Sequence, residues 1–340
     1  MGKIQIYIFS FILLGISSCI EPIEIETEDG SGAIVVDGRI TNETPPYNIR
    51  ISRSINIESY NQPPVEGAEV ILTNDQGNQE TLLEVRPGVY QVQQMQGKIG
   101  VTYILNIKTR SGEEIESLPE KMPENSEMDS IYFEYNTQII QVGQVATRTR
   151  YFFEVYVDTP DPGQGTHYLR WENYRIAEFF SQIPAIMAPP PPPPCCYTCY
   201  IDYTAPQGAP VANDRLIQGN SFSRIPIVEV DNASPNRLLV RVKQFSITEN
   251  AFDYWKAIND QRENTGSIFD PPPTIIKGNL INKNNPDELI LGFFEASSVT
   301  NSSVMINRFS FSAPNRQSIN PVGDCRQVDG AYIEVPEEFK

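Results

Sequence analysis

The sequence predicts a mainly β protein: an N-terminal prealbumin-like or Ig-like β-sandwich followed by a larger β-rich region with one short helix. Three observations predict it. Apolar and polar residues alternate in short runs, the period of a strand with one buried face. Turn residues interrupt those runs about every 8–12 residues, the spacing of sandwich strands. Only one stretch, at about 247–263, carries helical spacing.

The strands read off in order. Ala33-Ile34-Val35-Val36 is an apolar run closed by Asp37-Gly38. Tyr47, Ile49 and Ile51 alternate with Asn48, Arg50 and Ser52, and Ala68, Val70 and Leu72 share one face. Asn74 to Asn78 is a turn, Leu82, Leu83 and Val85 follow, and Arg86-Pro87-Gly88 turns the chain again. Tyr90 and Val92 alternate, and Val101, Tyr103, Leu105 and Ile107 form the clearest strand, closed by Ser111-Gly112. The glycines supply positive φ at turns. The pattern Gly67-Ala68-x-Val70-x-Leu72, Gly88-Val89-Tyr90 and Gly100-x-x-Tyr103-x-Leu105-x-Ile107 resembles the prealbumin-like module found at the N-terminus of many outer-membrane transporters and as a regulatory domain in carboxypeptidases.

Pro119 to Pro123 reads as a linker, which divides the chain into a sandwich at 33–122 and a β-rich region at 123–340. In the second region Ile131, Phe133 and Tyr135 alternate, Tyr151 to Val157 is a strand, and Tyr168 to Ile176 continues around Trp171. An insertion at about 184–220 holds six consecutive prolines, Pro189 to Pro194, a polyproline II signal best read as a rigid surface loop. Ser246 with Glu249 three residues on is a capping-box pattern opening the helix, whose Phe252 and Trp255 fall on one face. Strands resume at Ile275–Leu280, Leu289–Phe294 and Val304–Phe309.

The first nineteen residues read MGKIQIYIFSFILLGISSC: Lys3, an apolar stretch from Ile4 to Ile16, then small residues before Cys19. That stretch is too short for a membrane span, which needs about 20 residues. It resembles a bacterial lipobox, with the signal 1–18 removed and Cys19 lipidated, so the mature chain is expected to be anchored and not to span. Residues 19–32 then form an acidic tether with Glu21, Glu24, Glu26, Glu28 and Asp29. Acidic residues close behind a lipid cysteine resemble the surface-export signal of Bacteroidota lipoproteins, and cell-surface display on the outer membrane is expected.

Composition excludes several classes. The 340 residues carry 43 Asp+Glu against 26 Lys+Arg, a formal charge of −17. Loss of Lys3 with the signal leaves −18. Nucleic-acid binding needs clustered cations and none is visible. One histidine, His167, excludes zinc motifs built on two histidines and supplies a catalytic triad poorly; no G-x-S-x-G elbow, P-loop or dinucleotide fingerprint occurs. Glu172 and Glu178 as glycosidase acids would be arbitrary choices in so acidic a chain, and the Asp158…Asp161 turn lacks the full EF-hand pattern. No catalytic residue, metal or cofactor is expected.

The cysteines carry the clearest local chemistry. With Cys19 assigned to lipid, Cys195, Cys196, Cys199 and Cys325 are an even set in an oxidising compartment, and two disulfides are expected. Bridging adjacent Cys195 and Cys196 would be strained, so one of the three clustered cysteines should reach Cys325. A zinc site on Cys196-x-x-Cys199 lacks its second pair, and a redox CxxC would open a helix rather than follow a proline run.

The stretches Ala251-Phe-Asp-Tyr-Trp255-Lys-Ala-Ile-Asn-Asp-Gln261, Gly266-Ser-Ile-Phe-Asp-Pro271-Pro-Pro, Lys277-Gly-Asn279 and Leu291-Gly-Phe-Phe-Glu-Ala296-Ser resemble the Bacteroidota lipoproteins grouped as domain of unknown function 4249. Members often lie beside outer-membrane transporters driven by TonB. The resemblance implies a non-catalytic surface lipoprotein, an accessory or substrate-capturing partner of such a β-barrel. The alternative is an autonomous glycan- or peptide-binding lipoprotein using Trp171 or Trp255 as stacking platforms; a hydrolase ranks behind both.

Overall fold

The computed structural model describes residues 32–55, 62–143, 146–160, 163, 165–181, 197–203, 209–215, 220–232, 236–263, 274–312 and 323–340. The lipobox, the tether, the proline run, Cys195 and Cys196 lie outside these residues. Among the described residues the architecture is mainly β with one α-helix, in agreement with the alternation and turn spacing of the sequence.

The first strands are β1 (Ile34–Thr41), β2 (Tyr47–Arg53), β3 (Glu69–Asn74), β4 (Gln79–Thr81), β5 (Leu83–Arg86), β6 (Val89–Val92), β7 (Thr102–Lys108), β8 (Glu114–Ser117) and β9 (Glu120–Lys121). They form two facing sheets. Ile34, Val36, Ile40, Ile49 and Ile51 from one face meet Val70, Leu72, Tyr103, Leu105 and Ile107 from the other. These are the alternating positions of the sequence, because only one face of each strand is covered. Leu83 and Val85 fall outside the pattern and stay exposed on the edge strand β5.

The remaining elements are β10 (Ser130–Val142), β11 (Ala146–Thr159), β12 (Tyr168–Phe180), β13 (Thr198–Tyr203), β14 (Val211–Asn213), β15 (Phe222–Asp231), β16 (Arg237–Ile247), α1 (Glu249–Glu263), β17 (Leu280–Asn282), β18 (Ile290–Asn307) and β19 (Ala331–Tyr332). β10, β11 and β15 form a three-stranded sheet. Its Phe153, Val155 and Val157 pack on Leu169, Trp171, Val240 and Val242 of β12 and β16. On the opposite face of β12 and β16, Ala251 and Phe252 of α1 pack against Tyr168, Phe245 and Phe293. α1 starts later than the capping-box reading. Its cap is Thr248, whose Oγ1 accepts from the Ala251 N–H at 3.2 Å, while Ser246 is buried in β16.

β18 joins the two bodies. The sequence reads as two strands at 289–294 and 304–309; the structure has one strand of 18 residues, and Phe309 falls in a following 3₁₀ turn. Residues Ile290–Ser297 run parallel to β1, and Ser298–Asn307 run antiparallel to β16. The two sheets therefore merge into one of ten strands. β17 pairs with β8, and Leu280, Ile290, Phe294 and Ala296 enter the sandwich core. The sandwich is thus completed by residues from far beyond 122. Gly292 lets β18 lie close against β1: its φ is +91°, and a Cβ there would fall 1.9 Å from the Val36 carbonyl oxygen.

Candidate functional site

Two features stand apart from ordinary packing: a buried charge cluster where the bodies meet, and a two-stranded arm.

The cluster follows from strand register. Arg39 on β1 sits opposite Glu295 on β18. Arg170 and Glu172 lie two apart on β12, hence on one face, and α1 covers that face with Trp255. Arg170 is fully buried and Glu295 nearly so. The Arg170 guanidinium donates to Glu172 Oε1 at 2.6 Å and to Glu295 Oε1 at 2.9 Å. Arg39 reaches Glu172 at 2.9 Å. Glu295 also accepts from the Trp255 Nε1–H and the Ser297 hydroxyl, each at 2.8 Å. The Arg170 guanidinium lies 4.2 Å from the Phe245 ring centre and 4.6 Å from that of Trp255. Burial alone would push both carboxyls up; Arg170 and Arg39 outweigh it, holding Glu172 at about 2 and Glu295 below the usual range. Two cations and two anions compensate one another, so the cluster reads as a joint.

Glu120 lies beside this joint with the opposite electrostatics. It is 1% exposed, accepting from Thr248 Oγ1 at 2.8 Å and Asn279 Nδ2 at 3.1 Å. Burial raises its carboxyl to about 7, against the pull of those two hydrogen bonds, and the Glu295 charge adds to the rise. Asn279 in turn bonds both backbone groups of Phe294. One carboxyl thereby ties the sandwich, the start of α1 and β18 together.

The expected site residues scatter. Trp171 is a correction: it is fully buried, its Nε1–H donates to Gln244 at 2.9 Å, and it offers no ring face to a ligand. Trp255 is half-buried with Arg170 over its ring. Cys199 and Cys325, both fully buried, form a disulfide with Cα atoms 5.9 Å apart; Cys19, Cys195 and Cys196 lie outside the described residues. His167 donates or accepts through Nδ1 with Asp214 Oδ2 at 2.7 Å, and its backbone N–H donates to Oδ1 of the same buried carboxylate. Glu178 is paired with Arg237 through two bonds of 2.6 and 2.8 Å. It stands six residues from Glu172 on β12, roughly 20 Å at strand rise, beyond any glycosidase carboxylate pair. Asp158 accepts from Ser130 and from the Arg224 backbone N–H, and Asp161 lies outside the described residues. Among the described residues no group of three or more His, Cys, Asp or Glu is placed to hold a metal ion, and no helix is long and apolar enough to cross a membrane.

Sequence reasoning missed Arg39, Arg170, Glu295 and Glu120. Their only local signal is a charge inside an alternating run, which a solvated face shows equally well.

The second feature is the end of the β10–β11 hairpin. The third strand, β15, pairs with β11 only as far as Phe152 opposite Asp231. Six further pairs, from Thr137–Tyr151 to Val142–Ala146, continue with no third strand among the described residues, a backbone bond from the Asn232 N–H to the Tyr151 carbonyl aside. That is about 20 Å of two-stranded ribbon. Ile139 is 74% exposed and Val142 49%. Residues 135–153 hold Arg148 and Arg150 and no acid, in a chain of net charge −17. Arg150 is paired with Glu229 and Asp231, while Arg148 makes no ion pair among the described residues. Contacts fix the arm's direction. Ser126 bonds Thr300 and Phe133 packs on Phe311, so β10 runs along β18 and leaves the body beyond its end. β1 begins at the other end, with Ile34 opposite Ile290. The start of β1 and the arm thus lie toward opposite ends of β18, whose 18 residues span at most about 60 Å when fully extended.

A family model described as domain of unknown function (DUF4249) matches residues 20–303, and the chain belongs to that family. No curated protein matches the chain.

Proposed function

We propose that the chain is a lipid-anchored, outer-membrane protein displayed at the cell surface, a non-catalytic accessory or substrate-capturing partner of a TonB-dependent transporter. The observation that carries this reading is the polarity of the fold. The first described strand begins toward one end of β18, and toward the other end the chain presents a β-ribbon with no third strand among the described residues. An isolated two-stranded ribbon is marginal in water, and its free edges invite strand pairing with another chain. The four charges of the joint answer one another, which supports an adaptor rather than a reaction centre. The lipobox-like start with Cys19, the acidic tether and the family resemblance supply the membrane and transporter parts of the proposal. Two experiments test it. Metabolic labelling with a fatty acid should mark the wild-type chain and not Cys19→Ala. Purification of the full-length chain from native membranes in mild detergent should recover a large β-barrel protein with a plug domain. Repeated isolation of the chain alone would overturn the transporter reading.

A further inference from the structure

The face of β12 and β16 that α1 covers continues past the helix. Tyr168 and Phe245 lie under α1. Further along the same face, by the two-residue period of a strand, Tyr174 stands opposite Arg241 and Ile176 opposite Leu239. The Glu178–Arg237 pair follows, and Tyr200 of β13 and Met305 of β18 widen the floor.

A second piece of chain covers this end of the face. Residues Glu337–Phe339 form a 3₁₀ turn across it. Phe339 is buried against Ile176, Tyr200 and Leu239. Its ring meets that of Tyr200 edge to face at 5.0 Å, and the Arg237 guanidinium lies 5.0 Å from its centre. Arg237 also donates to the Phe339 carbonyl at 3.3 Å. The neighbouring Glu338 accepts two bonds of 2.8 Å from Arg241. The two anchors are thus consecutive in sequence, an acid and then an aromatic ring.

The anchoring ends there. Glu334 to Pro336 make no hydrogen bond to the sheet among the described residues, and Ile333 and Val335 are exposed. The base of the segment is fixed by contrast. Ala331 and Tyr332 pair with β13, the Tyr332 hydroxyl donates to Asp202 at 2.8 Å, and Cys325 is bridged to Cys199. Residues 333–340 are therefore free to lift while the sheet keeps its own bonds. Lifting uncovers an apolar floor between two arginines. Arg237 then keeps Glu178, whereas Arg241 loses the one carboxylate it pairs with among the described residues.

We infer that this groove is a docking site for a partner-protein segment in which an acidic residue precedes an aromatic one, and that residues 333–340 are a strap occupying it in the free chain. Aromatic and arginine side chains are the usual anchors of protein interfaces. A guanidinium fork holds a carboxylate with two parallel hydrogen bonds, as Arg241 holds Glu338. Charge favours an acidic segment, since Arg237, Arg241 and Lys243 share this face of β16 in a chain of net charge −17. A strap on the same chain competes at high effective concentration, so an outside segment binds weakly until the strap lifts. The proposal goes beyond the accessory role and does not rest on it.

The test is fluorescence anisotropy with the full-length chain in detergent. The probe is a fluorescein-labelled peptide of residues 333–340. Phe339→Ser unseats the strap, and this variant should bind the peptide about tenfold or more tighter than wild type. The peptide carrying Phe339→Ala should not bind, and Arg241→Glu added to the Phe339→Ser chain should weaken binding about tenfold or more. Hydrogen exchange of the wild-type chain supplies a readout that needs no variant. Amides of 337–340 should exchange by local opening, about a hundredfold or more faster than those of β12 and β16. No binding to the Phe339→Ser chain, equal binding to both chains, or strap amides as slow as the strands would overturn the docking groove. A Phe339→Ser chain melting about 8 °C or more below wild type would make the strap a structural element and overturn it equally. So would a wild-type dimer in sedimentation velocity that Phe339→Ser dissolves, since the occupant would then be the strap of a second copy.

Discussion

The joint and the arm use similar residues in opposite ways. At the joint, Arg170 and Glu295 are buried, Arg39 and Glu172 are half-buried, and the four answer one another within 2.9 Å. On the arm, Ile139, Val142 and Arg148 are exposed, with no third strand beyond Tyr151 among the described residues. The difference teaches where to look for function. A charge compensated inside the fold reports on folding, and removing one partner strands the others. An apolar or charged group left in water costs the fold little and is available to a partner.

That contrast can be broken first at its strongest point. Glu295→Leu leaves Arg170 and Arg39 facing a single carboxylate, and denaturant unfolding should show a loss of about 3–5 kcal/mol. A loss below about 1 kcal/mol would mean the cluster is wetter than its geometry indicates. Phe294→Ala tests the same joint without charge. It should cost about 3–5 kcal/mol, as expected for a sandwich core completed by β18. The Cys199–Cys325 bridge closes a loop with a sequence separation of 126. Cys325→Ser should cost roughly 2–5 kcal/mol in denaturant titrations.

Glu120 sharpens the comparison through pH. Its folded-state carboxyl lies at about 7, above its ordinary 4.5. The folded state therefore holds the proton more tightly than the unfolded one. Its stability contribution is fully present below about 4.5 and is lost as pH rises to about 7. Glu120→Gln should match wild type near pH 4 and exceed it by up to about 3 kcal/mol at pH 8. A wild-type advantage at pH 8 would contradict the raised value. At the small end, Ile139→Ser with Arg148→Ser should change stability by no more than about 0.5 kcal/mol, because neither side chain supports the body.

Much of the sandwich was legible because alternation is local: Val70 and Leu72, and Tyr103, Leu105 and Ile107, point inward as their spacing says. The sequence of β18 reads as two strands because Glu295, Ser297 and Ser298 look like loop chemistry. All three are buried, since both joined sheets cover them. The linker at Pro119–Pro123 suggested a boundary, but the parallel pairing of 290–297 with 34–41 is a contact between distant segments that no local pattern announces. Ser246 with Glu249 imitates a capping box; Thr248 caps instead because Ser246 is still held in the β16 ladder opposite Ser298. Trp171 looked like a stacking platform because a strand tryptophan reads the same whether its face is covered or open. The bridge to Cys325 was legible in outline, from cysteine count and compartment, whereas Cys199 as its partner needed coordinates. The buried cluster was not legible, because α1 and β18 bury a face of β12 that by sequence looks solvated.

The central claim is that the arm, at the end of β18 away from the start of β1, is the partner-binding element. Its most direct test compares two full-length chains purified from native membranes in mild detergent: wild type and the Ile139→Ser, Arg148→Ser variant. The account predicts a β-barrel transporter in stoichiometric amount with wild type and its loss from a variant that melts at the same temperature. Equal recovery of the transporter with both chains would contradict it.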